Sequence, residues 1–333
     1  MEDYKYMVRV SCMTYNHAPY IIDAMNGFCM QKTTFPFVCI IVDDASTDGE
    51  QEVIQKYLNE HFVLTGNDDY RRDETEDYVR IFTRHKTNRN CYFVVIYLKY
   101  NHHCINKPRG SYFSEWINTK YVAICEGDDY WIDPLKLDNQ VEYLEHHQNV
   151  SMCFHSAYVI DEEKELKTLF SEIEDKYYTD VEIFSKFIVP TGSAVFKAKI
   201  LKSNLLLQFR QDKRIDVGDL IIWLSCCREG DVRGFSKVMS VYRRHSGSWT
   251  RSNNSSQKQM AGAYRQEAIM QIYGSNLKKI GRRKYVSFAV SAYLLSVKEG
   301  NPCYKYLVKT GFKYPKETLS LLLNSLVSTK KTK

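Results

Sequence analysis

Cys125-Glu126-Gly127-Asp128-Asp129-Tyr130-Trp131 decides how this chain reads, because the acidic stretch closes an apolar run of strand length, residues 121–125. The arrangement recurs upstream, where residues 37–42 lead into Val42-Asp43-Asp44-Ala45-Ser46-Thr47-Asp48-Gly49 and residues 8–13 lead into Thr14-Tyr15-Asn16. Helical signals follow each run. After the first, Asn16 reads as a cap and Pro19 as a first-turn residue, with Ile21, Ile22, Met25, Phe28 and Cys29 on one face. After the second, Thr47 and Glu50 form the pattern of a capping box ahead of Val53, Ile54, Tyr57 and Leu58. After the third, Pro134 opens a helix through His147 with Leu137, Val141 and Leu144 aligned. Strand and helix in alternation predict an α/β, Rossmann-like fold with a central, mostly parallel sheet covered on both faces.

Further along, residues 65–90 read as a polar loop or insertion around a short strand at 78–82, and residues 110–119 as a helix. Residues 152–160 form a strand, 161–180 an acidic surface connection, 217–227 a helix and 238–242 another strand. A Ser- and Asn-rich stretch after Trp249 marks a boundary, dividing the chain into residues 1–250 and a helical, basic C-terminal extension, residues 251–333.

Composition narrows the function. The chain of 333 residues has a net charge of +6, tempered by 40 acidic residues, and no dense basic stripe or RNP-like motif, so nucleic acid is not an expected partner. No leader peptide is expected, and the longest apolar runs, such as residues 93–98, are too short to span a bilayer. Ten cysteines without a C-x-x-C pair, with Cys12, Cys39, Cys125 and Cys153 inside strand-like runs, predict reduced thiols and a cytoplasmic setting. Neither G-x-G-x-x-G nor a P-loop is present, which argues against dinucleotide oxidoreductases and P-loop NTPases.

In an open α/β sheet the ligand crevice lies beyond the carboxyl ends of the strands, where these polar stretches fall. Clustered carboxylates such as Glu126, Asp128 and Asp129 suit a hard divalent cation, Mg²⁺ or Mn²⁺, that neutralises a nucleoside diphosphate. Capping of the helix near Pro134 is the alternative use for Asp128 and Asp129.

Together with Gly218-Asp219-Leu220-Ile221-Ile222-Trp223-Leu224 and the stretch from Val238 to Trp249, these motifs resemble the family 2 glycosyltransferases of the GT-A fold, over residues 8–249. The resemblance implies that Thr14, Tyr15 and Asn16 border the nucleotide, that Asp44 meets its base or ribose, and that Asp43 assists. It makes Asp128 the central metal ligand, with Asp129 beside it and Glu126 facing the ribose or metal; the family often has Asp at the position of Glu126. His245 would complete the metal or diphosphate site, and Arg243 or Arg244 would meet the diphosphate. Asp219 would be the general base of an inverting transfer from a UDP-sugar, with a helix N-cap as its alternative role. The acceptor implied is a saccharide or lipid-linked saccharide of the bacterial surface-polysaccharide type. A non-catalytic nucleotide-sugar or glycan-binding protein on the same fold is the alternative.

Three features carry less. Lys86, Asn88 and Arg89 lie where relatives approach the donor, or form a solvated loop. Trp131 and Trp249 are sugar platforms or core residues. His102, His103, His146 and His147 have no zinc spacing. The basic C-terminal helices suit ordinary packing with a soluble basic tail, a cover over the acceptor, or a peripheral contact with an anionic membrane at its inner face.

Overall fold

The computed structural model describes residues 4–66, 68–105, 107, 108, 110–246 and 255–319. Trp249, the apolar run after Leu319 and the terminal lysines therefore lie outside the described residues. Clustering of contacts divides the chain into two units. The first comprises residues 1–178, 188–201 and 226–245, and the second residues 179–187, 202–225 and 246–333.

The three acidic or polar turns follow strands, as their apolar runs require. In chain order the first unit holds β1 (Tyr6–Thr14), α1 (Ile21–Cys29), β2 (Phe37–Asp43), α2 (Glu50–His61), β3 (Tyr70–Glu74), β4 (Tyr78–Arg84), β5 (Cys91–Leu98), β6 (Thr119–Ile124), β7 (Tyr130–Trp131) and α3 (Lys136–His146). It continues with β8 (Val150–Asp161), β9 (Leu166–Leu169), β10 (Val195–Lys197) and β11 (Asp231–Arg244). Every residue of β2 is buried, as expected for a strand covered on both faces.

The sheet order is β3-β4-β5-β2-β1-β6-β10-β8-β11-β7, with β9 paired to β8. Its heart, β5-β2-β1-β6, is parallel, and β8 pairs in parallel with β11, while β10, β7, β9 and the β3–β4 hairpin run antiparallel to their neighbours. The chain steps from β1 outward through β2 and β5, then returns to lay β6 on the other side of β1. This places the switch of strand order, and hence a crevice, at the carboxyl ends of β1 and β6.

Several local expectations are corrected. Asn16 does not cap α1; it adopts φ of 56°, and Tyr20 precedes the helix without a side-chain cap. Gly49, at φ of 89°, stands at the N-terminus of α2 in place of a Thr47–Glu50 capping box. Residues 65–90 contain the β3–β4 hairpin, which adds two strands to the sheet edge. Residues 110–119 form a kinked 3₁₀ turn (Gly110–Trp116) and the start of β6, and the 161–180 connection contains β9.

The second unit is helical. It contains α4 (Asp180–Lys186), α5 (Asn204–Gln211), residues 218–225 of α6 (Gly218–Glu229), α7 (Ser256–Tyr273), α8 (Ser275–Lys298) and α9 (Tyr304–Lys313). Thr179 and Glu182 form a reciprocal capping box on α4. Gly274, at φ of 102°, turns α7 into α8, and the two pack through Met260, Ala263, Tyr285, Val286 and Ala289. Among the described residues no helix is long and apolar enough to cross a membrane.

Candidate active site at the ends of β1 and β6

Two turns meet at the switch point. Glu126 to Asp129 leave β6 and re-enter the sheet as β7, whose Tyr130 and Trp131 pair with Val241 and Ser240 of β11. That pairing brings the end of β11 back to the acidic turn. Asp129, 2% exposed, accepts the Arg243 backbone N–H at 2.9 Å on Oδ1, and His245 Nε2 lies 3.2 Å from Asp128 Oδ2. Gly127 is required here by space, since a Cβ would fall 2.1 Å from Thr14 Oγ1. Burial pushes the Asp129 carboxyl well above the usual carboxylate range, and the neighbouring Asp128 adds to the effect.

The turn after β1 contributes a residue that sequence reasoning missed. His17 Nε2 approaches Asp128 Oδ2 at 3.9 Å, and its ring meets that of His245 edge-on with centroids 5.7 Å apart. Burial lowers the His17 pKa, which favours the neutral imidazole. Its Nδ1 lies 3.2 Å from Thr14 Oγ1, and the Thr14 hydroxyl donates to Glu50. Thr14 therefore accepts from Nδ1–H, and the Nε2 lone pair is left facing Asp128. Glu50 also accepts the His17 backbone N–H at 2.9 Å and the Ser46 hydroxyl at 2.8 Å, so one buried carboxylate from α2 orients the whole β1 turn. Burial raises the Glu50 pKa. His17, three residues after Thr14, carried no spacing signal of its own; only its nearness to His245 reveals it.

Ligand atoms of His17, Asp128 and His245 lie within 4.8 Å of one another, and the same holds for Glu126, Asp128 and Asp129. Asp128 belongs to both groups. Carboxylates with imidazoles form a donor set that fits a divalent cation such as Mn²⁺.

The remaining predicted residues take other positions. Asp43 is fully buried and holds the turn after β2, accepting the Ser46 N–H at 3.2 Å and the Gln51 amide; burial raises its pKa. Asp44 accepts the backbone N–H groups of His102 at 2.7 Å and His103 at 3.1 Å, tying the segment after β5 to the turn after β2. Asn16 accepts the Thr47 N–H at 2.8 Å and donates its own backbone N–H to Ser46 at 2.9 Å, while Tyr15 is exposed. Arg243 is 7% exposed, and its guanidinium binds Asp23 at 2.7 Å, Glu162 at 3.3 Å and the Asp128 carbonyl at 3.0 Å, between the rings of Tyr20 and Tyr130. Arg244 is exposed. Asp219 lies inside the first turn of α6, not at its cap, with Oδ1 accepting the Leu220 N–H at 2.7 Å.

Three minor candidates have structural work. Lys86 donates to the carbonyls of Asn59 and Glu60 at the end of α2, and the Asn88 amide donates to those of Cys29 and Gln31, at the amino-terminal edge of β5 and far from the crevice. Trp131 is a core residue, 1% exposed, donating to the Gly192 carbonyl at 2.8 Å.

A parallel β5-β2-β1-β6 heart with an acidic turn at its switch point is the GT-A arrangement. The family model described as glycosyl transferase family 2 matches residues 12–205, more than half of the chain, and the chain belongs to that family. An uncharacterized protein of Mycobacterium bovis is 29% identical over 245 residues, covering 71% of this chain and 59% of that protein. The match thus spans about six-tenths of that relative's length. An uncharacterized glycosyltransferase of Methanocaldococcus jannaschii is 27% identical over 125 residues, 36% of this chain and 41% of that protein. Among solved structures, S. aureus TarS 1–349 in complex with UDP-GlcNAc superposes with a TM-score of 0.53 at 14% identity, covering 94% of this chain and 78% of that one. At that identity the likeness concerns the fold.

Proposed function

We propose that this chain transfers a sugar from a nucleotide donor, a UDP-sugar, to a saccharide or lipid-linked saccharide with inversion at the anomeric carbon. The observation that carries the reading is the pairing of Asp128 with His245 and His17 at the crevice of a family 2 fold. UDP-GlcNAc in the TarS complex supports uridine as the base.

In this reading Asp128, His245 and His17 hold the cation, with Asp129 and Glu126 adding negative charge; the imidazoles favour Mn²⁺ over Mg²⁺. When bound, the cation neutralises charge on the departing diphosphate. Thr14, Tyr15 and Asn16 border the nucleotide, and Asp43 and Asp44 shape its pocket by fixing the turn after β2. Arg244 meets the diphosphate, while Arg243 holds the acidic turn in place through the Asp128 carbonyl. Asp219 takes the proton of the acceptor hydroxyl as its oxygen attacks the anomeric carbon and the nucleoside diphosphate leaves. Transfer chemistry is assigned to residues 1–250 and acceptor handling to residues 251–333. The free cysteines support a cytoplasmic setting, with the inner face of the membrane as the place where a lipid-linked acceptor is met.

A thermal-shift panel of UDP-, GDP- and dTDP-sugars with and without Mn²⁺ tests the donor site, because a ligand that binds the folded state raises its melting temperature. A Mn²⁺-dependent rise with UDP-sugars is expected. No rise with any nucleotide overturns the reading.

A further inference from the structure

The second unit contains a cleft of about 870 Å³ lined by Ser275, Lys278, Lys279, Arg282, Arg283, Lys284, Ser287, Lys316 and Glu317. Six cations face one carboxylate there, a local excess close to the net charge of the entire chain. Five of the six lie in the first ten residues of α8, and α8 contains no Asp or Glu over its 24 residues. Ordinary solvated helix faces intersperse the two signs, so that carboxylates one turn away offset each cation.

The placement is unfavourable for the helix by itself. Lys278 with Arg282, and Lys279 with Arg283, are like charges one turn apart, which destabilises a helix. They also crowd toward its amino end, where the helix dipole is positive and favours anions. Among the described residues no ion pair takes up Lys278, Lys279, Arg282, Arg283 or Lys316; the neighbouring Arg265 and Lys313 are paired with Asp216 and Glu267 instead. Lys284 is half-buried at the side of the cleft, donating to the Phe184 carbonyl over the Phe184 ring. Burial pushes its pKa down to about 8, with Arg265 contributing.

We propose that this cleft is a binding site for a ligand carrying two adjacent phosphoryl groups, a diphosphate ester or a headgroup of that charge. The volume is that of a small-molecule site. Arg282 and Arg283 provide planar forks suited to bidentate contact with phosphate oxygens, and the lysines provide point charges around them. Bound phosphates would replace the mutual repulsion along α8 with attraction and would sit toward the favourable end of its dipole. The site is separate in sequence from the donor residues and needs no cation, so it stands or falls independently of the donor reading.

The test is titration calorimetry of inorganic pyrophosphate into the full chain in EDTA, which removes any metal-dependent donor site from the readout. Saturable binding is expected, weakened tenfold or more in K279E/R283E and in the milder K279Q/R283Q, and unchanged in the control K298E at the far end of α8. Circular dichroism and the Mn²⁺-dependent response to UDP should match the unmodified protein in every variant, which separates loss of the cleft from loss of the fold. Sedimentation with phosphatidylcholine vesicles, with and without diacylglycerol pyrophosphate, distinguishes the source of the phosphates. Capture that requires the lipid diphosphate and that K279E/R283E loses assigns them to lipid headgroups; no capture, or capture that the variant keeps, assigns them to a soluble ester. Absence of pyrophosphate binding, or equal affinity in folded K279E/R283E, overturns the proposal.

Discussion

The turns after β2 and β6 are built from nearly the same residues and are used in opposite ways. After β2, Asp43 holds Ser46 and Gln51, Asp44 holds the His102 and His103 amides, and Asp48 accepts the N–H groups of Ala18 at 2.9 Å and Glu50 at 3.1 Å. These carboxylates are spent on the protein's own donors, each a charge-assisted bond that pins a loop. After β6, Asp129 is committed in that way, through the Arg243 N–H, while Asp128 looks toward two imidazoles and shares its space with Glu126 and Asp129. Three carboxylates crowded together are held there by the surrounding fold, and a cation would relieve their repulsion. Acidic composition therefore says little about role; what distinguishes Asp128 from Asp43, Asp44 and Asp48 is that it faces imidazoles where they accept backbone N–H groups.

Replacement at Asp128 should break the comparison most sharply. Asp128→Ala is expected to lower turnover by about 10³-fold or more, the scale of losing a central electrostatic contact, with Mn²⁺-dependent UDP binding abolished. Its melting temperature should hold or rise, since a like charge is removed beside Asp129; a large fall in stability with activity retained would make the second turn structural like the first.

Asp219→Asn comes next, with turnover reduced by about 10²-fold, the scale of general-base loss, and donor affinity kept. Weakened donor binding at normal turnover would assign Asp219 to the architecture of α6.

For the first turn the expected order reverses. Glu50→Ala removes a buried acceptor from Thr14, His17 and Ser46, and should lower stability by about 1–3 kcal/mol in chemical denaturation. Because Glu50 acts on His17 through Thr14, Mn²⁺ affinity should also fall roughly 10-fold to 100-fold, as for other residues that orient metal ligands. Unchanged Mn²⁺ affinity in folded Glu50→Gln would remove His17 from the ligand set.

Lys136 is fully buried behind the second turn, against the Trp131 ring and bonded to Gln140. Burial pushes its pKa down to about 7. Between that value and the ordinary lysine range the unfolded chain binds the proton and the folded chain does not, so this group makes stability rise with pH. The rise is at most about 1.4 kcal/mol per pH unit. The difference in unfolding free energy between the native chain and Lys136→Met should change by that slope from pH 7 to 10; a flat difference would show that Lys136 stays charged.

Legibility tracked how local the signal was. Apolar runs marked β1, β2 and β6 within a residue or two, since strands buried on both faces need no partner to be recognised. β3 and β9 were missed because Tyr70–Glu74 and Leu166–Leu169 are polar or exposed edge strands, held by ladder bonds that only a neighbour supplies. The expected helix caps failed for a related reason: Asn16 and Glu50 bond across to Thr47 and Thr14 rather than to their own helices. Motif resemblance proposed Asp128, Asp129 and His245 for one site and the structure brings them together, whereas the nearness of His17 and the structural use of Arg243 had no signal in the sequence.

The alternation of β1, α1, β2 and α2 and of β6 with α3, the acidic turns and the carboxylate-free basic stretch of α8 follow from residue order alone, because periodicity and charge are local properties of the chain. Which carboxylates remain poised was decided by tertiary structure. The β7–β11 pairing carries His245 back to Asp128 over more than a hundred residues of chain, and the return of β6 to the side of β1 sets His17 beside both. Long-range strand pairing is fixed by burial of whole faces, so no short stretch of sequence encodes those distances.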